Sequence, residues 1–379
     1  MKKIFLHKRV YLIGLLPVSY LLIVLAKNNS YFAEEIYAKH IYRGISQIIS
    51  AITGLFPFSI AELIVITLPI VVLVVLLRFS LGMLLNNKHR GMRLGKGLLN
   101  ILCAASVTLF LFVILGGINY YRSNFSSYSN LIIKDSSIEE LYALTKNLAL
   151  EAVELRSQTT MVDDNGVFKL SMNHTELAKE ADRAFQLLAE EYPVLGGNYS
   201  PPKPVLLSKF MSSTEITGIF IPFTMEANVN VDVPDYSIPA TMLHELAHLR
   251  GFMREDEANF LAYLAGMKSE HQDIRYSSTM LALITSGNAL YDQNPDYYFE
   301  IRELYSDGVL RDIRANSEYW LKYEDTAIST ISNKVNDTYL KANAQADGVQ
   351  SYGRMLDLLL AKYRKEHPEA VQDFIEEGM

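Results

Sequence analysis

The chain has 379 residues, half of them hydrophobic and 20% charged, with a formal net charge of −7. A mean hydropathy of +0.10 is high for a soluble enzyme, yet that share of charge is too large for a purely membranous protein, so an anchored globular protein is expected. The acidic balance, without a basic run in the C-terminal part, argues against a nucleic-acid partner, and the one cysteine, Cys103, excludes a disulfide framework.

Three apolar runs open the chain: residues 11–26, residues 60–77 with Glu62 near the edge, and residues 98–118. Each is long enough to span a bilayer with help from its flanks. Lys2, Lys3, Lys8 and Arg9 precede the first run, and Val24-Leu25-Ala26 resembles a small-residue cleavage site. A signal peptide would look like this too, but the apolar length exceeds a usual signal and favours an anchor. Arg78, Lys88, Arg90, Arg93 and Lys96 crowd the second loop. By the positive-inside rule that loop and the N-terminus are cytoplasmic, so the loop between the first two spans and everything after the third are extracytoplasmic. The expected organisation is a three-span α-helical anchor over residues 1–118, with the lipid bilayer as partner, and an outer α+β, mostly helical domain over residues 119–379.

Residues 123–130, rich in Ser, Tyr and Asn, read as a stalk leaving the membrane. Residues 138–156 and 175–192 have helical periodicity. Gly196-Gly197-Asn198 and Pro201-Pro202-Lys203-Pro204 then break the chain. Strands are expected at 217–220 and 227–233, the latter half-buried because Asn228, Asn230 and Asp232 alternate with Val229, Val231 and Val233. An edge strand here would pair with an extended peptide by β-augmentation.

The run His244-Glu245-Leu246-Ala247-His248 follows. Ser237 is suited to N-cap its helix, Pro239 to the first turn and Gly251 to a left-handed end. Met242, Leu246 and Leu249 share one stripe, while His244 and His248 project from another, about 6 Å apart along the axis. Zinc takes three protein ligands in a catalytic site and leaves one position open; imidazoles one turn apart supply two of them. Glu245 lies beside them, suited to take a proton from water rather than to bind metal. A histidine third ligand would fall at Arg254, which is always cationic and cannot coordinate. The acidic start of the next helix, Glu255-Asp256-Glu257, is the remaining source. Glu255 and Asn259 stand one turn apart, so Glu255 would ligate while Asn259 hydrogen-bonds a ligand; Glu257 points elsewhere and is the alternative. His271 is a fallback ligand. Tyr276 or Tyr236 would donate to a developing oxyanion. Further helices are expected at 278–290, 295–305, 309–339 and 352–365.

HELAH followed by E-x-E-A-N-x-x-A resembles the glutamate-type zincins, and E-x-E-A-N in particular resembles the ImmA/IrrE-type metallopeptidases, in which Glu255 would match the glutamate ligand. The connection departs from theirs, because Glu255 comes only seven positions after His248. The arrangement as a whole, with Tyr339-Leu340-Lys341-Ala342-Asn343 and Ser351-Tyr352-Gly353-Arg354-Met355 downstream, resembles a bacterial membrane-protein family known as a domain of unknown function. The residues and the zincin resemblance together lead to the expectation of a zincin-like domain with Zn2+ as cofactor, in a membrane-anchored metallohydrolase read as a peptidase with a peptide or envelope substrate; the likeness to the membrane-protein family supplies no substrate. The alternatives are a non-catalytic, zinc-stabilised envelope-binding domain and an amidase acting on cell-wall material.

Overall fold

The computed structural model describes residues 8–85, 89–343 and 354–368. A 3-10 turn, Lys8–Gly14, leads into α1 (Leu15–Asn28), followed by a π-wound segment, Phe32–Tyr42, and α2 (Arg43–Thr53). Two long helices come next, α3 (Ile60–Leu85) and α4 (Arg90–Leu115). The stretches Arg9–Asn28, Ile60–Leu85 and Arg90–Leu115 are each long and apolar enough to cross a membrane. α3 is apolar on every side and exposes Leu63 to Leu77 almost throughout, the surface a lipid-facing helix presents.

The remaining elements are mostly helical: α5 (Ile138–Gln158), α6 (His174–Glu191), α7 (Ile238–Leu249), α8 (Glu255–Lys268), α9 (Gln272–Gln293), α10 (Pro295–Arg302), α11 (Asp307–Trp320), α12 (Ala327–Ala342) and α13 (Met355–Glu366). Capping boxes start two of them, Ser137 with Glu140 before α5 and Asn173 with Glu176 before α6. The expected helix over 309–339 is two, because Thr326 Oγ1 accepts the Ser329 N–H at 3.1 Å and starts a new N-terminus there. The expected helix at 352–365 is α13, although residues 352 and 353 lie outside the described ones.

A three-stranded sheet interrupts the helices, ordered β1 (Lys203–Pro204), β3 (Glu226–Val229), β2 (Gly218–Ile221), with β1 parallel and β2 antiparallel to β3. Ile219 pairs with Asn228 and Phe220 with Ala227, which leaves the outer edge of β2 without a neighbour in this sheet. β3 is shorter than the 227–233 strand expected and is buried on both faces rather than one. Its polar face is satisfied inside: Asn228 Oδ1 accepts the Ser59 hydroxyl at 2.5 Å and Asn228 Nδ2 donates to Ile219 O at 3.2 Å. α7 lies at the centre of the core, against β2 and β3 on one side and α6, α8 and α9 on the others.

Two sequence expectations change here. Residues 123–130 are not a free stalk, because Phe125 is fully buried with its ring 5.1 Å from Tyr192, 5.7 Å from Phe252 and 6.1 Å from Phe260. Their polar composition concealed one aromatic anchor worth about 3–5 kcal/mol on truncation. A boundary at 118 also leaves on the anchor side a segment that bonds to the body. Glu34 accepts both Arg122 Nη2 at 3.0 Å and Ser123 N at 3.0 Å, Ser50 Oγ lies 2.9 Å from Ser200 Oγ, and Glu226 accepts the first-turn N–H groups of α3, Ile60 at 3.0 Å and Ala61 at 2.8 Å. A β3 carboxylate thus caps the second apolar helix, complementing the positive end of its dipole.

Candidate metal centre

α7 and α8 bring the chemistry together. Ser237 occupies the N-cap position of α7 without capping through its side chain; its hydroxyl donates back to Pro234 O at 2.8 Å. Gly251, at φ +87°, turns the chain after α7 toward α8. A Cβ there would lie 2.9 Å from Tyr42 Cε1 and 3.1 Å from Asn119 Nδ2, so both backbone and space require glycine. Tyr42 closes the same end, its hydroxyl donating to Leu249 O at 3.1 Å and His248 O at 3.3 Å. The segment between the first two apolar helices therefore clamps the C-terminus of the helix that carries both histidines.

The imidazole Nε2 atoms of His244 and His248 are 3.0 Å apart, and Glu255 Oε2 lies 3.1 Å from the first and 3.6 Å from the second. Each ring is held by its other nitrogen: His244 Nδ1 is 2.7 Å from Asn259 Oδ1, and His248 Nδ1 is 2.8 Å from Phe252 O. Both rings thereby present Nε2 to one point. Zinc with bonds of ~2.0–2.1 Å in a tetrahedron needs donors about 3.3 Å apart, and the three separations bracket that value. The residues fit the metal by spacing and donor type, and their outer hydrogen bonds are of the kind that orient ligating histidines.

Electrostatics at the site point the same way. Burial opposes a charge on His248, but the adjacent Glu255 carboxylate outweighs it and pushes the imidazole up to about 9. Burial would raise Glu255, yet His248 and His244 hold it well below the usual carboxylate range. The buried Glu255 carboxylate thus faces two imidazoles, an arrangement that a divalent cation would satisfy in place of protons.

Glu257 stands apart. Its Oε1 accepts the Phe125 N–H at 2.6 Å and Arg254 Nη1 at 3.2 Å, tying residues 122–130 to α8. Glu245 is buried beside the histidines, with its Oε2 unpartnered among the described residues. Burial raises its pKa, with Glu255 adding to the effect. β2 runs directly over it: a Cβ on Gly218 would come within 2.5 Å of Glu245 Oε1. Glycine is what lets the strand approach the carboxylate so closely.

The cluster opens into a cleft of about 750 Å³ between β2, α7 and α12. Tyr236 lines it, and burial raises the pKa of its hydroxyl. Tyr276 does not line it: its side chain is fully buried and its hydroxyl donates to Asp312 Oδ2 at 2.7 Å, so the expected oxyanion role fails on geometry. His271 is also away from the cluster, 3.2 Å from Glu180. Tyr120 and Tyr339, with hydroxyls 3.0 Å apart, line the cleft, and neither was assigned a role from sequence. Tyr339 stood in a quoted motif, but nothing local connects it to the histidine helix far upstream.

Residues 37–360 match the family model described as "Protein of unknown function (DUF3810)". The chain belongs to this family. Neither a curated protein nor a solved structure matches it.

Proposed function

We propose that the chain is a membrane-anchored, zinc-dependent hydrolase of zincin type, acting on a peptide or a related amide outside the cytoplasmic membrane. The reading is carried by the convergence of His244 Nε2, His248 Nε2 and Glu255 Oε2 beside the buried carboxylate of Glu245. A structural zinc would call for a fourth protein donor, whereas these three leave a position facing the cleft. Bound zinc would supply a Lewis acid and make water acidic near neutral pH. Glu245 would accept the proton from the attacking water at its unpartnered Oε2 and pass it to the leaving amine. Tyr236 keeps its proton and donates toward the developing oxyanion. The outer edge of β2 receives an extended substrate by main-chain hydrogen bonds.

The location outside the cytoplasm rests on Arg78, Lys88, Arg90, Arg93 and Lys96, which cluster toward the facing ends of α3 and α4 and in the stretch that joins them in the sequence. The bonds joining the α1–α3 connection to the body support it, since in a three-span chain those two parts share one side. The test is elemental analysis of the purified full chain together with peptide-library profiling of wild type and Glu245→Gln. About one zinc per chain is expected in both, with turnover in the variant reduced on the order of a hundredfold or more. A chain without zinc, or a Glu245→Gln variant as active as wild type, would overturn the reading.

A further inference from the structure

Two exposed apolar patches, together forming a collar, take no part in the proposed hydrolysis; of their residues Val335 also lines the cleft. On one side Leu206 is 86% exposed, with Leu207 and Phe210 beside it at the start of the short helix Ser208–Ser213. On the other side Ile328, Ile331 and Val335 form a stripe along α12, with Ile331 66% and Val335 63% exposed. The positions fall at i, i+3 and i+7, one face of a helix. Ser329 and Leu340 face the body from the same helix, while Lys334, Asp337 and Lys341 occupy a third side, roughly 90–150° around from the stripe. Such a helix, apolar on an unpartnered face and charged on another, is the kind that rests in a bilayer interface.

Its depth can be read from contacts with the apolar helices. The N–H groups of Leu206 and Leu207 donate to Glu62, at 3.1 and 2.6 Å, and Glu62 lies two residues inside the start of α3. The Tyr339 ring at the end of the α12 stripe packs edge-on against Phe112, 6.2 Å between centroids, three residues inside the end of α4. At 1.5 Å per residue, the contact points at Glu62 and Phe112 lie about 3–5 Å inside the outer ends of those two helices, and Val335 stands one turn before Tyr339 on α12. Phe112 and Gly116 of that region also line the cleft.

We propose that this collar is a lipid-contact surface: Leu206, Leu207 and Phe210 together with Ile328, Ile331 and Val335 are seated in the acyl boundary of the same leaflet that receives the outer ends of α3 and α4. Lipid, rather than another protein, is the occupant because the collar is continuous with surfaces of α3 and α4 already turned to the bilayer. The cleft consequently opens at the headgroup level, where a membrane-anchored substrate would present its reacting bond. The lipid contact itself does not depend on the hydrolase reading, and its test needs no turnover.

The test uses the full chain in phosphatidylcholine–phosphatidylglycerol vesicles containing lipids brominated on the acyl chain. Trp320 is the sole tryptophan, so Trp320→Phe supplies a silent background. Ile331→Trp and Leu206→Trp report on the two flanks, Leu73→Trp in α3 on the bilayer interior, and Phe299→Trp on an exposed apolar site of α10. Quenching of both flank reporters, approaching that of Leu73→Trp and well above that of Phe299→Trp, is the expected result. With Leu73→Trp quenched, emission from either flank as insensitive to bromolipid as that of Phe299→Trp overturns the proposal. If the Trp320→Phe background does not fold, Ile331→Cys and Leu206→Cys in a Cys103→Ser background are read with a membrane-impermeant maleimide. Protection in vesicles is then expected, and full labelling overturns it.

Discussion

Glu255→Gln and Glu257→Gln form a pair of isosteric changes two residues apart whose effects should separate completely. Glu255 Oε2 lies 3.1 and 3.6 Å from the two histidine nitrogens, so neutralising it removes the anionic donor and leaves two imidazoles and a poor amide ligand. Zinc affinity should fall on the order of a hundredfold, about 2.7 kcal/mol, or more. Glu257 touches neither histidine; it holds Phe125 N at 2.6 Å and Arg254 at 3.2 Å. In the Glu257→Gln variant the side-chain amide oxygen can still accept the Phe125 N–H, but the charge is lost, costing about 1–3 kcal/mol of stability with little change in zinc affinity. Competition titration of the full chain against a chelator of known affinity measures the first quantity, and thermal unfolding of the zinc-free chain the second. If Glu257→Gln loses the metal while Glu255→Gln retains it, the ligand assignment and the reasoning from donor spacing are both wrong.

Gly218→Ala places a methyl group within 2.5 Å of Glu245 Oε1 and 2.7 Å of Thr241 Cγ2. Overpacking should cost about 1–3 kcal/mol in thermal unfolding. Zinc content should stay near wild type, because no ligand is touched, while turnover drops on the order of a hundredfold if the strand displaces Glu245 by ~1 Å. Burial alone would raise the Glu34 carboxyl, but Arg122, Tyr128 and Ser123 together hold it below its ordinary value. A depressed folded-state pKa contributes stability that is present above the unfolded value, near about 4.3, and lost as pH falls through the folded one. Hydrogen-exchange protection around Tyr42 and Arg122 should therefore decline below about pH 4, and Glu34→Gln should remove that dependence and lower protection at neutral pH. Unchanged acid sensitivity in the variant would assign the effect to another group.

Much was legible along the chain because it is local. The three apolar stretches, the helix carrying His244 and His248, the acidic start of α8 and the turn at Gly251 each depend on residues within a few positions of one another. Periodicity and caps reveal such features directly. Spacing along two successive helices also favoured Glu255 as the third ligand, with Glu257 the alternative and His271 a fallback. The spacing could not choose outright, because an acidic first turn suits any helix dipole.

What only the tertiary structure decided is what distant segments do to one another. Asn228 reads as the solvent face of a half-buried strand until Ser59, 169 positions away, supplies its partner. Phe125 reads as part of a polar stalk until Tyr192, Phe252 and Phe260 enclose it. Tyr276 is as plausible an oxyanion donor as Tyr236 until Asp312 claims its hydroxyl. Tyr42 carries no signal of its own, yet it closes the end of the helix that carries His244 and His248 across 207 positions. The local sequence sets which backbone conformations and which chemical groups are available. Burial and hydrogen-bond partners are properties of surfaces that exist only after the chain has folded, so the roles of these residues had to wait for the structure.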